Sequence, residues 1–222
     1  MPYHAGAASG GLLEVPATTL TDPDALAGQI DACARLYGRA KPQVLGTIWW
    51  YSVSSVLVAP AVEAFAVTGV ALDPALDRMY LLQHPDGRLA GARSTAVIEG
   101  GRLGTALGAA LAEPIAVISE HTGAPSPALW AIATDSIANR LLWTGMAVGD
   151  PERITGLAAP LVTEIERFTG QRIPPPRYLD VAAKRFVRRV SCCLIYQATG
   201  GQKCVSCPHQ HPDVRAKRLR GR

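Results

Sequence analysis

The sequence predicts an α+β fold: a mainly helical body with a small antiparallel sheet, followed by a C-terminal cysteine-rich segment. Three observations carry this expectation. Apolar residues recur at helical spacing through most of residues 21–172, in stretches opened by proline and closed by glycine. One Asp-Gly turn between two short runs marks a hairpin. Four of the five cysteines crowd into residues 192–207, beyond a proline-rich break.

Helical signals come first in the chain. Asp22-Pro23 places a capping residue before a proline at the first helical position. Leu26, Ile30, Cys33 and Tyr37 then share a stripe that Gly38 ends. On that stripe Cys33 reads as a small buried hydrophobe rather than a reactive thiol or further ligand. No charged residue falls within the run from Pro42 to Val62, which is long enough for a membrane span. Thr47, Ser52, Ser54 and Ser55 dilute it and Pro60 interrupts it, so a buried central helix is the expectation.

Arg78–Gln83, His84-Pro85-Asp86-Gly87 and Arg88–Ala90 read as strand, turn and strand. His84 is then a turn residue. Leu103, Leu107 and Leu111 begin a helix that Pro114 is expected to break or restart. Ser126-Pro127 is read as the cap of the next, with Trp130, Ile137 and Leu141 on one face. Asp150-Pro151 opens a third, whose stripe of Ile154, Leu157, Leu161, Ile165 and Phe168 ends at Gly170. A helix end accounts for His121 electrostatically. Ile173-Pro174-Pro175-Pro176-Arg177 is the strongest linker signal. The expected organisation is a loosely ordered N-terminus (1–20), a helical body (21–172), a cysteine segment (177–210) and a basic tail (211–222).

The chain has 222 residues, 48% hydrophobic and 18% charged, enough to bury a core without disulfide staples. Residues 1–20 lack the basic start and continuous apolar run of a secretory signal. A cytoplasmic location is therefore expected, and in a reducing compartment clustered thiols point to metal binding. Residues 184–222 carry ten Lys or Arg against one acid, Asp213, whereas residues 1–183 carry twelve against seventeen. A solvated tail accounts for the basic residues after 210. The same charge could meet an anionic membrane surface peripherally, but without a zinc-finger, helix-turn-helix or RNA-binding motif no nucleic-acid partner is expected. Dinucleotide and Walker-type fingerprints are absent, as are triad and paired-histidine motifs. No catalytic side chain is named, and any electrons must come from a separate donor.

The spacing C-C-x10-C-x2-C comprises Cys192, Cys193, Cys204 and Cys207. A C-x2-C pair lets two thiolates reach one metal from a tight turn. The adjacent pair is unusual, because neighbours in extended backbone point to opposite faces and meet one centre only at a bend. Structural zinc favours C-x2–4-C pairs on both sides, while a two-iron cluster spreads four thiolates over two metals. Spacing alone leaves both open. His209 and His211 are alternative nitrogen ligands. Lys184, Arg185, Arg188, Arg189 and Lys203 surround the thiolates in sequence and would offset a cluster's negative charge; for Arg188 and Arg189 simple solubility competes with that role.

Phe186 to Tyr196, with Gly200-Gly201 and then Cys204-x-x-Cys207-Pro208, resembles the C-terminal signature of FhuF-type siderophore-iron reductases. The Trp49-Trp50 helix before Pro60 and the Pro125–Trp143 helix fit that family's layout more loosely. The resemblance implies a [2Fe–2S] cluster on Cys192, Cys193, Cys204 and Cys207, which would make the cysteine-rich stretch an iron-sulfur segment. It also implies a ferric siderophore as substrate and an external ferredoxin- or flavin-type electron donor. Two other readings stay beside it: a zinc-stabilised binding module that docks a partner or nucleic acid through its basic segment, and an iron-sulfur electron carrier without siderophore turnover.

Overall fold

The computed structural model describes residues 11–182 and 184–221. In chain order the elements are β1 (Leu13–Pro16), α1 (Pro23–Tyr37), α2 (Pro42–Thr68), β2 (Ala71–Leu72), β3 (Met79–Gln83), β4 (Leu89–Ser94) and β5 (Val97–Ile98). They continue with α3 (Leu103–Thr122), α4 (Ser126–Val148), α5 (Pro151–Gly156), α6 (Ala158–Thr169), β6 (Tyr178–Val181), β7 (Lys184–Val187), α7 (Ile195–Thr199) and α8 (Pro212–Arg220). The strands form an antiparallel β1-β3-β4 sheet and two antiparallel pairs, β2-β5 and β6-β7. With 61% of the described residues helical, the chain is α+β with helix dominant.

Helix α2 is the axis of the core. It is apolar around its whole circumference, and a helix of that kind is stable only when covered on all sides. Ile48, Trp50, Val56, Val58, Ala61 and Val62 are fully buried. By length and composition α2 and the α3 region (Gly100–Thr122) could each cross a membrane, yet here about half of each apolar window is covered by the fold itself. Three polar ties set the register of α2 against α4. The Trp50 indole N–H donates to the Leu129 carbonyl at 2.9 Å, the Ser54 and Ser136 hydroxyls bond at 2.8 Å, and Arg140 Nε donates to the Ser55 carbonyl at 2.8 Å. Arg140 Nη1 continues to Glu63 Oε1 at 3.1 Å. Such buried polar pairs fix one alignment where dispersion alone would allow sliding.

Several expectations hold at the level of single residues. Asp22 caps α1 by accepting from the backbone N–H groups of Asp24 and Ala25, and Gly38 ends it. The hairpin turns through Asp86-Gly87, with Gly87 at φ 88°. Others are corrected. Neither Pro60 nor Pro114 breaks its helix: α2 and α3 run through them, and Pro114 is buried, so packing on both sides outweighs the lost hydrogen bond. Ser126 does not cap α4; it lies inside the first turn behind Pro125, and no side chain caps that end. The stretch from Pro151 to Thr169 is two helices joined at Leu157, and Phe168 is half exposed.

The N-terminus is only partly open to comparison, since residues 1–10 lie outside the described residues. Residues 13–16 are not loose but pair with β3, Leu13 opposite Gln83 and Val15 opposite Leu81. The proline run is no free linker either. Ile173 is buried, its N–H reaches Glu166 Oε1, and Thr134 Oγ1 donates to the Pro174 carbonyl at 3.1 Å. It straps the chain along α4 toward the β6-β7 hairpin.

Glycines let α3 approach α6. A Cβ at Gly104 would collide with the Cβ and carboxyl of Glu164, whereas one at Gly108 would meet the ring of Phe168, which can swing into solvent. Gly104→Ala should therefore destabilise the protein by about 1–3 kcal/mol, and Gly108→Ala by less than about 1 kcal/mol, in denaturant unfolding.

Candidate metal centre

The β6-β7 hairpin delivers the chain to the thiols. It packs on α4 through Val187 and Tyr178 against Ala138 and Leu142, and the Tyr178 hydroxyl donates to the Ala138 carbonyl at 3.0 Å. Beyond β7 the backbone enters α4's most unusual feature, the carboxylate of Asp135, which is 2% exposed inside an apolar helix. Asp135 Oδ1 accepts from the Val190 N–H at 3.0 Å, and Oδ2 accepts from the Ser191 N–H at 3.0 Å and the Ser191 hydroxyl at 2.5 Å. Arg189 Nε lies 3.4 Å from the same Oδ2. Burial lifts the carboxyl above the ordinary aspartate range, and these donors restrain the rise. Asp135 thus fastens the three residues that precede Cys192.

Immediately after, Cys192 is half-buried and Cys193 buried. Leu194 adopts the left-handed conformation, φ 58°, which turns the chain into α7. This is the bend that an adjacent pair requires. The Leu194 and Ile195 N–H groups bond the sulfurs of Cys192 and Cys193. The second pair sits on a tight turn in which the Cys207 N–H donates to the Cys204 carbonyl at 3.1 Å. Gln210 braces that turn, its amide donating to the Cys204 and Val205 carbonyls and accepting from Arg218 Nη1 at 2.6 Å.

All four thiols are brought together. Cys192 Sγ and Cys207 Sγ are 3.7 Å apart. Cys193 is in sulfur–sulfur contact with both Cys192 and Cys204. The order is a string: Cys207, Cys192, Cys193, Cys204. Two thiolates sharing one tetrahedral metal at about 2.3 Å lie about 3.8 Å apart, so the observed spacing fits a shared ion. Among the described residues, no three His, Cys, Asp or Glu side chains converge on a single-ion position. A string of pairs suits a two-metal group, two thiolates to each metal, better than one ion needing four convergent sulfurs. Within the string, hydrogen bonds from Cys192 and then Cys204, with the Arg189 charge, hold the Cys193 thiol well below the usual thiol range, while the same bonds push Cys192 and Cys204 up.

The remaining candidates separate cleanly. Cys33 is 5% exposed, its thiol faces the Leu45 carbonyl, and burial pushes it up to about 11, the signature of an inert core thiol. His209 is exposed, and His211 caps α8 by accepting from the Asp213 N–H. Neither bonds a sulfur among the described contacts. Arg185 pairs with Asp180 through both carboxylate oxygens, 2.9 and 3.0 Å. Arg188 is exposed, but Arg189 is buried and its Nη1 lies 3.9 Å from Cys204 Sγ. The basic tail is not merely solvated either: α8 buries Leu219, and Arg218 Nη1 donates to the Lys203 carbonyl at 3.0 Å. Cys204 itself is exposed, with Lys203 beside it over the Tyr196 ring. A cavity of about 580 Å³ lies between α1 and the β3-β4 turn, and none of the four thiols lines it.

The residue that sequence reasoning missed is Asp135. The signal was present: Asp135 and Arg140 are the only charges in α4, and a lone acid in an apolar helix needs a partner.

Removing that carboxylate leaves two backbone N–H groups and a buried arginine without their acceptor. Asp135→Ala should cost roughly 3–5 kcal/mol in unfolding free energy, and Asp135→Asn, which keeps one acceptor, distinctly less. Limited proteolysis should show the new cleavage in residues 188–191, with the helical body intact.

No curated protein matches the chain. Residues 189–209, from the arginine beside Asp135 to just past the C-x2-C turn, match the FhuF 2Fe-2S C-terminal domain family, whose name carries the cluster type expected from the sequence.

Proposed function

We propose that the protein is a ferric-siderophore reductase: it takes one electron from an external ferredoxin- or flavin-type donor and passes it to chelated Fe³⁺, which leaves as Fe²⁺. The observation that carries this reading is the string of four thiols inside the segment matched to the 2Fe-2S domain. Cys192 and Cys207 would hold one metal, Cys193 and Cys204 the other. A [2Fe–2S] cluster bound there supplies one-electron transfer and nothing else.

The protein's own residues do the rest. Asp135 and Leu194 hold the adjacent pair at its bend, and Gln210 and Arg218 hold the second pair. Cys204 puts one sulfur at the surface, where Lys203 and the basic face of α8 favour an anionic chelate or an acidic donor protein. Reduction exchanges a hard ion for one that oxygen-rich chelators hold less well. A cytoplasmic location fits a donor of this type, and the basic face leaves room for peripheral contact with an anionic membrane.

Serine replacements test the ligand set. Cys33→Ser should retain full iron, whereas Cys192→Ser, Cys193→Ser, Cys204→Ser and Cys207→Ser should each lose or weaken it, as measured by iron content of anaerobically purified protein. Turnover is tested by mixing chemically reduced protein with ferric siderophores and a ferrous-specific chelator in anaerobic conditions. Trapped Fe²⁺ in proportion to protein is the expected result. Reduced protein that leaves every ferric siderophore untouched would instead be an electron carrier.

A further inference from the structure

We propose that Arg189 sets the reduction potential of the group held by the four cysteines, acting on the Cys204 sulfur from a position fixed by Asp135 and Tyr51. The inference rests on the ligand reading above and goes beyond it by naming a residue that tunes the site without binding the metal.

Two arginines are buried among the described residues, Arg140 and Arg189. Arg140 is turned to Ser55 and Glu63, in the α2–α4 contact. Arg189 is turned to the sulfurs. Its three nitrogens have three different neighbours: Nε lies 3.4 Å from Asp135 Oδ2, Nη2 3.5 Å from Ser191 Oγ, and Nη1 3.9 Å from Cys204 Sγ. The guanidinium stacks over the Tyr51 ring, with Cζ 4.8 Å from the ring centroid. A planar group held at both ends and on one face has a single orientation, and that orientation aims an N–H at sulfur.

A purely structural clamp is the competing role, and the distances argue against it. Asp135 already accepts three bonds of 2.5 to 3.0 Å from Val190 and Ser191, and the arginine contact is the longest of the four. The cysteine segment is therefore fastened through Val190 and Ser191, while Arg189 reaches past the carboxylate with Nη1 turned to sulfur. A guanidinium stays protonated in proteins, so Arg189 brings a full positive charge into this buried position. The exposed neighbour Arg188 has no such setting.

A fixed positive charge in a poorly solvated site favours the state with one more electron, and N–H bonds to cluster sulfurs act in the same direction. Among the described residues the one arginine–sulfur contact is Nη1 to Cys204 Sγ at 3.9 Å, so the charge acts most directly at the exposed sulfur. The added electron is therefore favoured on the side of the site nearer the exposed sulfur, where it can leave.

The experiment is a spectroelectrochemical titration of anaerobically prepared wild type, Arg189→Gln and Arg189→Lys, each with iron and sulfide content and far-UV circular dichroism measured. Arg189→Gln should keep its iron and its helical spectrum while its potential moves to more negative values. Arg189→Lys, which keeps the charge without the fork, should fall between. The shift should persist at high salt, because a buried charge is poorly screened, whereas any shift from the exposed Lys217→Gln control should shrink. An unchanged potential in fully loaded Arg189→Gln overturns the proposal, and so does loss of iron in both variants, which would make the residue a clamp. A wild type without iron is a different failure: it removes the ligand reading, and the tuning role falls with it.

Discussion

Everything at the C-terminal end depends on one buried carboxylate accepting hydrogen bonds from a segment 55 residues away. Asp135 lies in the middle of α4, where burial alone would keep a carboxyl neutral. The Val190 and Ser191 donors, with the Arg189 charge, make that position tenable. The dependence is mutual. Without the segment the acid is stranded in an apolar helix, and without the acid the segment has no fixed entry to its adjacent cysteines. Cys192 and Cys193 face the right way only because the residues before them are pinned and Leu194 after them is left-handed.

The helical body makes that pinning rigid. Buried side chains on α2 and α4 interlock through Trp50, Ser54 and Arg140, so Asp135 sits on a helix that cannot slide. Tyr51, on α2, closes over the far face of Arg189. Two core helices and the cysteine segment thus meet around a single guanidinium. The basic α8 then covers the other flank through Arg218 and Gln210, which makes the C-terminal charge part of the site's architecture as well as a surface for anionic partners.

What the sequence made legible follows from how local each signal is. The Asp22 cap, the Gly38 stop and the Asp86-Gly87 turn each act within four residues, and each is where local chemistry puts it. The cysteine spacing was legible because four thiols in sixteen positions have few uses. Pro60 and Pro114 misled because local propensity was overruled by packing on both sides of a core helix. The short β6-β7 hairpin escaped because its turn has no Gly or Asn and begins with Ala182 at φ 50°. The roles of Arg188 and Arg189 could not be told apart from composition. One residue of backbone alternation sends the first to solvent and the second to sulfur. Asp135 is the hardest case: its isolation was visible, but its partners are fixed only by the tertiary fold.

The central claim is that these four thiolates hold two irons bridged by sulfide rather than one zinc. Mössbauer spectroscopy of anaerobically purified, ⁵⁷Fe-enriched protein, with iron, zinc and acid-labile sulfide counted on the same sample, tests it most directly. The account predicts iron and sulfide in equal amounts, spin-coupled ferric sites in the oxidised protein, and a mixed-valence spectrum after dithionite. Stoichiometric zinc with neither iron nor sulfide would contradict it.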